Sequence, residues 1–263
     1  MSKEHYFPKT RFSDHVEYYV KYRPQYPKAV LDLLRQNCGL NSNSVIADIG
    51  SGTGIFTKLL LETGNPVFGV EPNEAMRQAG ENYLSAFQNF RSVNGSAEST
   101  MLADHSVDII TAAQAFHWFN LEPVKKEFQR ILKPNGVVVL LWNLRCSEHP
   151  GIMQAYEALL NEFGIDYQNL CAENIDEAAI TAFFKPTKVN VITLPNEQVL
   201  DWKGFEGRLR STSYLPKEGA PNFEAMLNAA KSAFEENQQD GFVTIIYETK
   251  LYIALAADFN GGI

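Results

Sequence analysis

Cysteine is scarce in this chain of 263 residues: Cys38, Cys146 and Cys171 stand far apart, and no Cys-x-x-Cys pair occurs. Structural disulfides and thiolate metal sites draw on paired or closely spaced cysteines, so reduced thiols are the expectation. Long apolar runs are missing as well. No stretch approaches the roughly eighteen residues a membrane span needs, and the opening MSKEHYFPKT has no apolar signal core. A cytoplasmic location is the default expectation, with no membrane span. Basic charge is not in excess either. Lys plus Arg number 23 against 31 for Asp plus Glu, a net charge of −8, which argues against a large nucleic-acid footprint built on counterion release. There is no zinc spacing, nucleophile-elbow serine or P-loop, and no metal is expected.

What is present is a rhythm. Seven β-like segments occur, most of them separated by helical patterns. The first five are Val45–Ile49, Val67–Val70, Phe90–Val93, Val107–Ala112 and Val137–Leu141. Short apolar strands alternating with amphipathic helices predict a mostly parallel sheet covered on both faces. Lys133-Pro134-Asn135-Gly136 reads as a turn just before the fifth strand. The helix ahead of it opens at Asn120 and runs through Val124, Phe128 and Leu132. A sixth strand is expected at Val189–Leu194, and helices over Leu200–Leu209 and Phe223–Phe234. Phe242–Leu255 alternates along its whole length, which fits an antiparallel last strand. No repeat or long linker divides the chain. A single domain over 1–263 is expected, with an N-terminal cap at about 1–40 and a helical cap at about 145–215.

Between the first strand and its helix lies Asp48-Ile49-Gly50-Ser51-Gly52-Thr53-Gly54, and Glu71 ends the second strand. A glycine-rich strand-to-helix turn lets backbone approach a ligand, and an acid closing strand two can accept from two ribose hydroxyls. A dinucleotide fingerprint would place glycine at position 55, where this chain has Ile55. Asp48 suits a cationic ligand better than a pyrophosphate. Together these residues resemble the nucleoside-binding motifs of class I S-adenosylmethionine-dependent methyltransferases. The resemblance implies a three-layer, Rossmann-like α/β fold of seven strands, and S-adenosyl-L-methionine as cofactor. It also implies that Glu71, with Pro72 beside it, holds the ribose, while Ser96 and Ala97 flank the adenine. Many members carry Asp at the position of Ser96.

Ligands of open parallel sheets bind beyond the C-terminal strand ends, so Ala113 and Gln114 belong to the candidate site with Asp48, Gly50, Ser51, Gly52 and Gly54. The segment Ala113–Asn120, AQAFHWFN, sets aromatic side chains and a histidine where an acceptor would meet the methyl group. Aromatic faces attract a sulfonium and exclude water. His117 is a candidate general base, and His117 and Trp118 candidate acceptor contacts; core packing is the alternative role for this segment. Tyr22-Arg23-Pro24-Gln25-Tyr26-Pro27 resembles an element of the trans-aconitate methyltransferase-like group, as does Ser211-Thr212-Ser213-Tyr214. Tyr22, Arg23, Arg208 and Tyr214 are therefore candidate acceptor contacts. Arg208 and Arg210 are two apart, so on one helix at most one points inward. A guanidinium fork suits a carboxylate, and carboxyl O-methylation of a small molecule is the favoured expectation. C-methylation of a quinone or lipid-like acceptor, and cofactor binding without turnover, stay open at this stage.

Overall fold

Apolar runs too short for helices build the sheet. The structure, a computed structural model, describes residues 20–165, 167 and 177–255. Its strands are β1 (Ile46–Ile49), β2 (Val67–Val70), β3 (Phe90–Val93), β4 (Val107–Ala113), β5 (Leu132–Arg145), β6 (Asn190–Leu200) and β7 (Val243–Leu255). They form one sheet in the order β3-β2-β1-β4-β5-β7-β6. β1 to β5 pair in parallel, and β7 runs antiparallel to both β5 and β6. This is the expected α/β arrangement with a reversed last strand. Cys171 and residues 1–19 of the expected N-terminal cap lie outside the described residues.

The helices are α1 (Ala29–Cys38), α2 (Ile55–Leu61), α3 (Glu74–Tyr83), α4 (Leu121–Ile131), α5 (Ile152–Phe163), α6 (Glu177–Phe184), α7 (Trp202–Arg210) and α8 (Phe223–Asn237). Side chains of β5 alternate between the two faces of the sheet, as period-two geometry requires. Val138, Leu140 and Trp142 join Phe128, Ile131 and Phe183 in one core layer. Val137, Val139 and Leu141 join Leu34, Leu60 and Ile253 in the other. Each fully buried aliphatic side chain contributes about 1.5–3 kcal/mol. A third cluster, centred on Tyr156, Phe205, Met226 and Tyr247, ties α5, α7, α8 and β7 together.

Two boundaries differ from expectation. β5 begins at Leu132 rather than Val137, and Lys133–Gly136 loops out inside it: Val107 pairs with Leu132 and Ile109 with Val137. Asn135 takes a left-handed φ of 68° there, which explains why these residues read as a free turn. β6 runs on to Leu200 because it pairs along its whole length with β7, from Asn190↔Ile253 to Leu200↔Val243. Asn120 occupies the N-cap of α4 without a side-chain cap bond; its backbone N–H donates to Glu98 Oε1 at 3.0 Å. Among the described residues, no helix is long and apolar enough to cross a membrane.

Candidate active site

The strand ends converge on a cavity of about 390 Å³. At its β1 end the turn backbone packs tightly. A Cβ at Gly50 would stand 2.6 Å from Ala115 Cβ, so only glycine lets the turn lie against the end of β4. Asp48 is 1% exposed, and its carboxylate accepts from Thr57 Oγ1 at 2.6 Å and Thr111 Oγ1 at 2.8 Å. Burial pushes its pKa up to about 6, against the opposing pull of the two hydroxyls. Glu71 accepts from the Gly52 N–H at 2.9 Å and from the Asn73 N–H at 2.8 Å. Burial raises its pKa, while those two amides and Arg77 hold the rise in check. The carboxylate is thus fixed toward the turn, with further lone pairs for hydroxyl donors.

The predicted residues Asp48, Gly50, Ser51, Gly52, Glu71, Pro72, Ser96, Ala97, Ala113 and Gln114 all line this cavity. Gly54 does not. It has a left-handed φ of 83° and a Cβ there would stand 2.7 Å from Leu84, so its work is to seat α2. Gln114, also left-handed at 57°, is pinned by its Nε2 donating to the Asn143 carbonyl at 3.1 Å. Backbone held off its preferred region clusters at ligand sites.

The other half of the cavity is built from later elements. His117 and Trp118 line the cavity, whereas Phe116 is 4% exposed and packs edge-on against Phe119, Trp142 and Phe183. One of the segment's three aromatic residues, Phe116, is therefore core. Crowding by protein atoms pulls the His117 pKa down to about 4, although the residue keeps an exposed surface at the cavity mouth. Its imidazole is neutral at working pH. Arg23, Arg208 and Tyr214 line the cavity; Tyr22 instead packs over Gly207, where a Cβ would meet its ring at 2.4 Å.

Sequence reasoning missed Arg145 and Tyr247, which also line the cavity. Arg145 was hidden because β5 read as ending at Leu141. Its Nη2 donates to the Tyr167 hydroxyl at 2.7 Å and lies 3.6 Å from the Glu157 carboxylate. Arg23 Nη2 donates to the Ser211 carbonyl at 2.8 Å. Arg208 is different. It is 3% exposed, and its side chain donates to the Tyr247 hydroxyl at 3.3 Å and to Thr212 Oγ1 at 3.0 Å, both neutral acceptors. Among the described residues no carboxylate pairs with it. Arg210, on the opposite face of α7, pairs with Glu206 at 2.7 Å and Glu218 at 3.1 Å. The cavity is thus acidic beside β1–β3, with Asp48, Glu71 and Glu98, and basic beside β5 and α7.

Residues 47–140 match the family described as a methyltransferase domain. An uncharacterised methyltransferase-like protein of Schizosaccharomyces pombe is 34% identical over 245 residues, spanning 92% of this chain and 93% of the relative. The chain belongs to the S-adenosylmethionine-dependent methyltransferase family. A malonyl-[acyl-carrier protein] O-methyltransferase of Marinomonas is 27% identical to this methyltransferase over 200 residues, covering 74% of this chain and 70% of the relative. A protein assigned as a type II methyltransferase from Anaeromyxobacter dehalogenans shares its fold, with a TM-score of 0.65 at 21% identity, over 89% of this chain and 97% of that one.

The cofactor of this methyltransferase is S-adenosylmethionine, and the residues present fit it. Glu71 presents a carboxylate fixed by the Gly52 and Asn73 amides, of the kind ribose hydroxyls can donate to, and the Gly50–Gly52 backbone leaves room for close approach. The Thr53 hydroxyl is 1% exposed, belongs to the cavity wall and has no hydrogen-bond partner among the described residues. A buried hydroxyl of this kind costs free energy until a ligand satisfies it.

Proposed function

We propose that this methyltransferase transfers the methyl group to the carboxylate oxygen of a small-molecule acid. Arg208 carries the reading. A guanidinium buried to 3% exposure whose partners among the described residues are neutral is costly, and an anion entering the cavity offsets that cost. Its planar fork suits carboxylate oxygens, and the Tyr247 and Thr212 hydroxyls fix its orientation. Arg145 already has Glu157 beside it, so Arg208 is the stronger anion site.

S-adenosylmethionine, when bound, supplies a methyl group on a sulfonium sulfur that departs as a neutral thioether. Arg208 would hold the acceptor carboxylate in line with that methyl group. A carboxylate is ionised at neutral pH and needs no base. This agrees with a neutral His117, whose ring is left to donate or accept one hydrogen bond at the mouth. Trp118 and Phe119 wall off water beside the reacting carbon, and most of the rate comes from positioning.

The contact of Arg23 with Ser211 brings together the two segments that resemble the trans-aconitate methyltransferase-like group, and it supports placing the enzyme there. The O-methyltransferase relative from Marinomonas supports oxygen as the receiving atom. The test is transfer of labelled methyl into a pool of small organic acids, followed by mild alkali. Label released by alkali, and acceptor KM raised at least about tenfold in Arg208→Gln with cofactor affinity intact, is the expected result. Alkali-stable label would overturn the reading.

A further inference from the structure

The loop between β3 and β4 lines the cavity through Ser96, Ala97 and Glu98, and Ala97 and Leu102 join the core layer on that face of the sheet. Its polar anchor is α4. The Thr100 N–H and Oγ1 both donate to Glu127 Oε1, at 2.7 and 2.6 Å, and Thr100 itself is fully buried. Arg130 grips the same carboxylate through Nε at 2.9 Å and Nη2 at 2.7 Å, and reaches Asp104 in the loop at 2.6 Å. Upstream the chain closes on itself: the Ser96 N–H donates to the Ser99 carbonyl at 3.0 Å, and the Ser99 N–H returns the bond at 3.2 Å. Gly95 is needed there because a Cβ would stand 2.8 Å from the Thr100 carbonyl. Thr100 thus follows directly on a four-residue closed turn, Ser96 to Ser99, that carries the residues facing the cavity.

We propose that Glu127, which does not line the cavity, is a positioning residue that sets adenine selectivity. It anchors Thr100, and the anchored turn presents the Ser96–Ala97 backbone at a fixed height beside the ligand. The proposal rests on the reading that this loop receives the adenine. Backbone groups discriminate between bases only when they cannot shift, since a mobile loop re-forms its hydrogen bonds around either base.

The test uses calorimetric binding without acceptor, comparing S-adenosylhomocysteine with its hypoxanthine analogue, S-inosylhomocysteine. In the wild type the adenine form should bind at least about tenfold tighter, the worth of one good hydrogen bond to a buried backbone group. In Glu127→Gln the adenine form should weaken by about tenfold while the hypoxanthine form moves less than about twofold, so that selectivity collapses. KM for S-adenosylmethionine should rise with it, at unchanged kcat and unchanged acceptor KM. Thr100→Val removes the hydroxyl half of the anchor, keeps the backbone N–H bond and the Glu127–Arg130 pair, and should give a smaller loss of selectivity in the same direction. Parallel weakening of both ligands in both variants would mean a merely structural role and would overturn the proposal. So would full selectivity in both variants, with the cofactor reading left standing. A wild type indifferent to the base would overturn the adenine placement itself, and the proposal with it.

Discussion

Replacing Asp48 by Asn should make the enzyme more stable and worse at holding its cofactor. The Asp48 pKa rises from 3.8 to about 6 in the folded chain, chiefly through burial. Between those values the folded state keeps a proton that the unfolded state has already released. Stability therefore falls as pH climbs from about 4 to 6 and stays low above it. Two pKa units at about 1.4 kcal/mol each put the cost of the buried charge near 3 kcal/mol. Asparagine removes that cost but needs one of Thr57 and Thr111 to reverse its hydroxyl, at about 1 kcal/mol. The net expectation is about 2 kcal/mol of added stability near pH 8, fading toward pH 4, read from urea unfolding at both pH values. Binding should move the other way. A carboxylate facing a cationic ligand favours it only when ionised, so wild-type affinity for S-adenosylmethionine should fall as pH drops below about 6, and the variant should be weak and flat across that range. A stability difference that ignores pH would refute the assignment of the buried charge. Cofactor affinity unaltered by the substitution would refute its role.

Three further outcomes are expected. Glu71→Ala should weaken S-adenosylmethionine binding by about 1–3 kcal/mol by calorimetry, because it removes the ribose acceptor and frees the Gly52 and Asn73 amides together. Gly207→Ala should cut acceptor turnover at least about tenfold while thermal stability changes little, since the new methyl displaces Tyr22 but adds helix propensity worth about 1 kcal/mol. Hydrogen exchange over residues 22–25 should quicken in the same variant. Leu60→Ala, in the layer beneath the sheet, should cost about 2–5 kcal/mol of stability and leave both ligand affinities unchanged.

The half of the cavity beside β1 and β2 was readable because its residues are local in the chain. Asp48 to Gly54 is one continuous turn, and Glu71 follows from the next strand end. The other half draws on places far apart in the chain. Arg145 lies at the end of a strand whose last residues look like loop, and its partner Glu157 belongs to the next helix. Tyr247 is one of many alternating residues in β7, and nothing local marks it as facing a cavity. The burial of Arg208 was half-legible: spacing says that Arg208 and Arg210 diverge, but only α8 and β7 decide which one turns inward. Phe116 shows the converse. Its neighbours His117 and Trp118 reach the cavity, yet a single 3₁₀ turn rotates Phe116 into the core. Glu127 gave no sequence signal at all, because an acid within an amphipathic helix ordinarily faces solvent.

The third cluster has a consequence for ancestry and engineering. β6 and β7 pair from Asn190↔Ile253 to Leu200↔Val243, and the far end of that ribbon carries α7 and α8 with an apolar centre of their own. On the proposed function, the parts that choose the acceptor stand on a bracket rather than inside the sheet whose strand ends would grip the nucleoside. A chimaera that keeps β1 to β4 and borrows the ribbon with its helices from a relative would inherit a foreign appetite on an unaltered engine. Descent could diversify such enzymes by the same exchange, with each new cap tried against a donor site that never had to be rebuilt.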